Sequence, residues 1–181
     1  MTQRDLTDSE LLVLGLVAEM PRHGYELEQV IEERGMREWT QIGFSSIYYV
    51  LGKLEQRGLI KADTPASAKA KKSYEITSKG RETLVDQTLA TLKSLHPTYP
   101  SLLLGMIHWS ALTRDQALDA LGTRKSALAE ELERIEGIHF EQQPLPDYID
   151  AIFEFSIGQL KAETDWIDRT LAYMETKPWN A

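Results

Sequence analysis

The sequence predicts a mainly α-helical protein: an N-terminal winged helix-turn-helix with a two-stranded wing, followed by a C-terminal α-helical dimerisation domain. Three observations predict it. Residues 1–95 follow the order helix, helix, helix, strand, basic loop, strand, helix. The segment His96-Pro97-Thr98-Tyr99-Pro100 then breaks the helical pattern, because proline disfavours helix in the residue before it. Beyond that break every segment has helical periodicity. The expected domains are therefore 1–95, including a long linking helix over 79–95, and 96–181.

The first helix opens at Thr7-Asp-Ser-Glu10, the spacing of a capping box, and places Leu11, Leu14, Val17 and Ala18 at helical intervals before Pro21 closes it. A second helix runs from Gly24 to about Arg34, with Tyr25, Leu27, Val30 and Ile31 apolar and Gly35 as its stop. Trp39 to Phe44 reads as a connection. In the third helix Ile47, Val50, Leu51 and Leu54 share one face, which must be buried. Ser45, Tyr49, Gly52, Lys53 and Gln56 share the other, and none of them is acidic. Gly58 ends the helix. Two short strands, Leu59 to Ala62 and Ser73 to Ile76, flank a small basic loop and make a β-hairpin. Thr77 or Ser78 then caps the long helix, whose apolar side carries Leu84, Val85, Leu89 and Leu92.

In the C-terminal part Ser101 to Leu112 is strongly apolar, and Thr113-Arg-Asp-Gln116 is a second capping box. It opens a helix expected to bury Leu118, Leu121, Leu128, Leu132 and Ile135 and to end at Gly137. A last helix runs from Asp147 to about Met174. One of its stripes holds Ile149, Phe153, Leu160, Ile167, Leu171 and Met174; another holds Tyr148, Ile152, Phe155, Trp166 and Tyr173. A helix apolar on two sides sits between two partners. Leu89, Leu92, Ile152, Phe153, Leu160, Ile167 and Leu171 are accordingly the candidate contacts of a homodimer.

Charge is unevenly spread along the 181 residues. The net charge is −8, yet residues 1–81 carry 12 basic and 12 acidic side chains, which cancel, so the whole excess lies beyond them. Residues 40–81 alone carry 8 basic and 3 acidic groups. Affinity for a polyanion follows the charge that faces it, not the molecular sum. A groove of duplex DNA admits one α-helix whose far side is fixed in a core. The third helix fits that role, with Ser45, Ser46, Tyr49 and Lys53 to reach base edges and phosphates. Lys69, Lys71 and Lys72 on the hairpin are placed to meet the neighbouring backbone or minor groove. Tyr48 flanks the buried stripe and is placed equally for packing and for phosphate contact. Tyr25 reads as a core or core-edge residue whose hydroxyl stays near the surface, where it is a further candidate contact.

Three stretches carry a family pattern: His23-Gly-Tyr-Glu-Leu27; Gly43-x-x-Ser46-Ile-Tyr48-x-x-Leu51-x-x-Leu54-Glu-x-x-Gly58-Leu-Ile60; and Lys72-x-Tyr74-x-Ile-Thr77-x-x-Gly80. Together they resemble the PadR family of transcriptional regulators over roughly residues 6–95. The two long C-terminal helices resemble those of the longer PadR subgroup. The resemblance implies a homodimeric repressor that binds an inverted-repeat operator and, in some members, is released by a small aromatic or phenolic effector. Trp109 and Trp166 are the candidate effector contacts, although tryptophans at such spacings more often anchor a core or interface; Trp39 stands in the same position. One departure is Tyr49, where the family has proline; it puts a bulky group on the DNA side.

The sequence offers little for other functions. It has no cysteine, which excludes disulfides and thiolate chemistry. Its four histidines, at 23, 96, 108 and 139, form no metal-ligand spacing, and there is no Gly-rich phosphate loop or Gly-x-Ser-x-Gly turn. The expectation is a cytoplasmic regulator with no cofactor, no metal, no enzymatic activity and no membrane span. The alternative is a winged-helix protein-interaction module without DNA binding.

Overall fold

Thr7 opens α1 (Asp8–Glu19) as a reciprocal cap: its hydroxyl accepts from the Glu10 N–H and the Glu10 carboxylate accepts from its own N–H at 3.0 Å. This computed structural model describes residues 5–38, 40, 42–43, 46–63, 72–95, 97–176 and 179, with Glu38 and Ser46 described by their backbone alone. Among the described residues α1 is followed by β1 (Arg22–His23), α2 (Gly24–Glu33), a 3-10 turn at Met36–Glu38, α3 (Ser46–Gln56), β2 (Ile60–Ala62), β3 (Ser73–Ile76) and α4 (Ser78–Lys93). After these come α5 (Leu102–Ile107), a 3-10 turn at Trp109–Ala111, α6 (Arg114–Glu141) and α7 (Asp147–Thr176). The chain divides into two compact units, Met1–His96 and Pro97–Ala181.

In the first unit Val13, Leu14, Leu16 and Val17 of α1 meet Leu27 and Ile31 of α2 and Ile47, Val50, Leu51 and Leu54 of α3 in one core. Each fully buried leucine or isoleucine there contributes about 2 kcal/mol of transfer free energy. Leu59, Ile60, Tyr74 and Ile76 bring the sheet into the same core. The sheet is antiparallel with order β1-β3-β2, so it has three strands where the sequence predicts two. Ile60 faces Ile76 and Lys61 faces Glu75, an ion pair at 3.0 Å, while Arg22 and His23 of β1 face Tyr74 and Ser73. Gly58 turns the chain from α3 into β2 with φ 69°, a conformation that costs glycine nothing sterically.

The second unit is built on the α6–α7 hairpin. Ala117, Leu121, Leu128, Ile167 and Met174 form its core, with Leu118, Leu160, Trp166, Leu171 and Trp109 packed against it. Leu118, Leu132 and Ile135, expected to be buried, are only half-buried. Gly137 does not end α6, which continues to Glu141. Part-exposed cross-helix ion pairs flank this core: Arg124–Glu163, Lys125–Asp168 at 2.5 Å and Lys161–Glu136 at 2.7 Å. No helix among the described residues is long and apolar enough to cross a membrane.

Depressed carboxylates, Glu19 and Asp150 among them, give the fold a signed dependence on pH. Hydrogen bonding by Arg34, with Arg22 beside it, holds Glu19 below the usual carboxylate range. Hydrogen bonding by His139 and Gln143 does the same for Asp150, 2.6 Å from the His139 ring. A carboxylate depressed in the folded state stabilises it above the unfolded value, and that contribution is lost as pH falls through the folded value. The urea midpoint is expected to drop between about pH 5 and pH 3, less steeply in Glu19→Gln. Parallel curves for the two proteins would contradict the assignment.

Candidate nucleic-acid interface

Burial of Ile47, Val50, Leu51 and Leu54 fixes the roll of α3 about its axis, so its opposite face must look outward. Tyr48 and Tyr49 stand there 61% and 65% exposed. Two aromatic rings so placed are not held by the core; each offers a hydroxyl and a flat apolar face to whatever docks. Lys53 lies one turn on, its Nζ 4.4 Å from the centroid of the Tyr49 ring, a cation–π contact. The Tyr48 ring crosses the start of α2 at Gly24, where a Cβ would lie 2.5 Å from a ring atom, so glycine at 24 is what lets tyrosine at 48 lie down.

The start of α2 also anchors the wing. The Glu26 carboxylate accepts from the His23 N–H at 2.6 Å, and this hydrogen bond holds it below the usual carboxylate range. The His23 ring stacks on Tyr25, with centroids 5.7 Å apart, and its Nδ1 lies 3.0 Å from the Lys72 carbonyl oxygen. A carbonyl only accepts, so Nδ1 carries the proton. The hairpin is closed at the same level: the Ser73 N–H donates to the Asp63 carboxylate at 2.8 Å and the Asp63 N–H to the Ser73 carbonyl at 2.9 Å.

The reader and the root of the wing therefore belong to one unit, with Tyr25, Tyr48, Tyr49, Lys53 and Lys72 all at or near its surface. Tyr25 stands on the outer side of the core-edge position that the sequence predicts. It is 39% exposed and its hydroxyl donates to Glu26 at 3.3 Å, because Leu27 and Ile31 already fill the inward face of α2. Ser46 is the first residue of α3. Ser45, Lys69, Lys71 and Trp39 lie outside the described residues. What sequence reasoning missed is Glu10. The side of α3 that carries Tyr49, Lys53 and Gln56 has no acid of its own, but α1 supplies one: Glu10, itself buried, lies 3.3 Å from Arg57 and 3.9 Å from Lys53.

Residues 13–86, which span α1 to α4 and all of this surface, match the transcriptional regulator PadR-like family. The chain carries a PadR-like transcriptional-regulator domain. Solved structures extend the likeness beyond that PadR-like domain. Bacillus subtilis PadR in complex with operator DNA is 22% identical, with a TM-score of 0.73 over 91% of this chain and 98% of that one. Bacillus subtilis PadR in complex with p-coumaric acid is 22% identical, with a TM-score of 0.75 over 92% and 98%. A PadR-like transcriptional regulator from Bacillus cereus is 19% identical, with a TM-score of 0.66 over 94% and 100%. At these identities the likeness is one of fold, and it includes the C-terminal helices. Among curated proteins nothing matches the chain.

The PadR-like fold also places the other expected contacts. On α4, Leu89 and Leu92 are exposed, Leu92 to 80%. On α7, Ile152, Phe153, Leu160 and Leu171 are half-buried, and Phe153 stacks on His139 at 4.8 Å. Ile167 is fully buried within the α6–α7 core and has no surface left for a second copy. The outward stripe of α7 is instead Tyr148, Phe155 and Tyr173. Trp109 stacks on Trp179 at 5.4 Å, and Trp166 packs into the hairpin core. A depression of about 370 Å³ on α6, lined by Glu130, Glu133, Arg134, Gly137, Ile138 and Glu141, includes neither tryptophan.

Proposed function

We propose that the protein binds duplex DNA as a homodimer and represses a neighbouring gene from an inverted-repeat operator, with a small aromatic or phenolic molecule as the releasing effector. The observation that carries the reading is α3 itself: four buried aliphatic residues fix its roll and leave Tyr48, Tyr49 and Lys53 outward in the unit that holds the wing root. That is the form a helix needs to enter a major groove. Ser46 at its start and Lys72 beside β3, together with Ser45, Lys69 and Lys71 assigned from the sequence, complete the surface proposed for DNA. That Bacillus subtilis PadR has been crystallised with operator DNA and with p-coumaric acid supports both parts of the proposal. Trp109 and Trp166 are the effector contacts to test first.

The dimer is supported by apolar surface left uncovered on a single chain. Val85, Leu89, Leu92 and Leu95 are exposed at α4 and just past its end, and Tyr148, Phe155 and Tyr173 are exposed on α7. Large apolar side chains left exposed together along one helix, on α4 and separately on α7, support an interface on each. The native chain should sediment at the mass of two copies and retard the DNA upstream of its own gene, with affinity falling steeply as salt rises. Footprints should fall on half-sites about 10 bp, or a multiple, apart. Added p-coumaric acid should release the complex. A chain that retards no DNA at low salt overturns the reading in favour of a protein-interaction module.

A further inference from the structure

We infer that Glu10 is a specificity-determining residue of the reader, limiting how much of the α3 positive charge reaches DNA phosphates. This rests on the DNA-binding reading above and adds to it a residue that faces no DNA.

Glu10 is 5% exposed, and a carboxylate so desolvated must be paired. Its Oε2 accepts from the Thr7 N–H at 3.0 Å and lies 3.3 Å from Arg57 Nη1; its Oε1 lies 3.9 Å from Lys53 Nζ. One carboxylate is thus shared by two cations, Lys53 of α3 and Arg57 just past its end. Lys53 is further confined by the Tyr49 ring, whose centroid lies 4.4 Å from its Nζ. The cluster of three side chains therefore presents one net positive charge to DNA where Lys53 and Arg57 without Glu10 would present two. Affinity for DNA of any sequence rises with the number of phosphates neutralised, and this contribution carries no sequence information. Withholding one charge lowers random-sequence binding, while a lysine held in one place keeps its directional contact.

The charge can be separated from the helix cap. Glutamine at the third position of a capping box still accepts from the Thr7 N–H, so Glu10→Gln removes the charge and keeps α1 capped. Anisotropy titrations of native, Glu10→Gln, Arg57→Gln and the double variant should use the upstream fragment and a random duplex across 50–200 mM salt. Glu10→Gln should steepen the salt dependence on random duplex by about one phosphate, an extra loss of about threefold over that range. It should also lower the ratio of specific to random affinity. The double variant, with one charge of each sign removed, should return to the native slope.

Unchanged slope and ratio in a folded Glu10→Gln overturn the inference while leaving the DNA-binding reading intact. If Glu10→Gln alone does not fold, the comparison of Arg57→Gln with the double variant decides instead. The inference requires the steeper slope in the double variant, and equal slopes overturn it. A native chain that binds neither duplex overturns the DNA reading, and this inference with it.

Discussion

Gly80→Ala should destabilise the fold by about 3 kcal/mol or more, the largest loss expected of any single methyl group added to the first unit. A Cβ at Gly80 would lie 2.0 Å from the carbonyl oxygen of Leu59 and 2.7 Å from a side-chain carbon of Ile76. Neither contact is with the end of a flexible side chain. The Leu59 oxygen is backbone, held by the Thr77 N–H at 3.0 Å and the Thr77 hydroxyl at 3.1 Å. Nor can α4 back away freely, because the Gly80 N–H donates to the Thr77 hydroxyl in the cap that starts the helix. Relief would therefore require shifting the sheet or opening the cap, and both lead into the core at Leu59, Ile60 and Ile76. Urea denaturation followed by circular dichroism measures this directly. A loss below about 0.5 kcal/mol, within the ordinary range of surface changes, would contradict the account.

The parts of this architecture that were legible in the sequence are those with a repeated signal. Ile47, Val50, Leu51 and Leu54 recur at helical spacing, and all four are buried. Thr7 and Thr113 carry capping-box spacings, and both caps form. The two-residue strand β1 could not be read, because two residues have no periodicity and the strand exists only through pairing with β3. Gly137 looked like a stop because glycine weakens a helix by about 1 kcal/mol. The packing and ion pairs along α7 outweigh that, and the helix runs on. Ile167 shows a limit of stripe counting: a helix with two apolar sides says nothing about which side meets its own chain.

Glu10 did leave a signal. It occupies the same helical face as Val13, Leu14 and Val17, and an acid on an apolar stripe needs a cation from another element. Its role in the Thr7 cap already accounted for the residue in sequence. Only the three-dimensional approach of α3 reveals Lys53 and Arg57 beside it.

Replacing Tyr49 and Lys53 together by alanine should weaken binding to the upstream fragment by about a hundredfold, from contacts worth about 1–3 kcal/mol each. The protein should still fold. Tyr49 is largely exposed, so its loss opens no cavity. Removing Lys53 does not strand Glu10, whose carboxylate keeps the Thr7 N–H and Arg57, the nearer of its two cations. The thermal midpoint should therefore change by only a few degrees, about what 1 kcal/mol produces in a domain of this size. Tyr48→Ala provides the contrast within the same face. Its ring lies across Gly24, so its removal also loosens the junction of α2 and α3, and part of any binding loss would come from a less rigid reader. The salt dependence separates the two cases: the double variant loses a phosphate contact and its slope falls by about one, whereas Tyr48→Ala keeps the native slope. Native affinity in a folded double variant would remove Tyr49 and Lys53 from the reading face and leave the wing and the start of α3 to carry recognition.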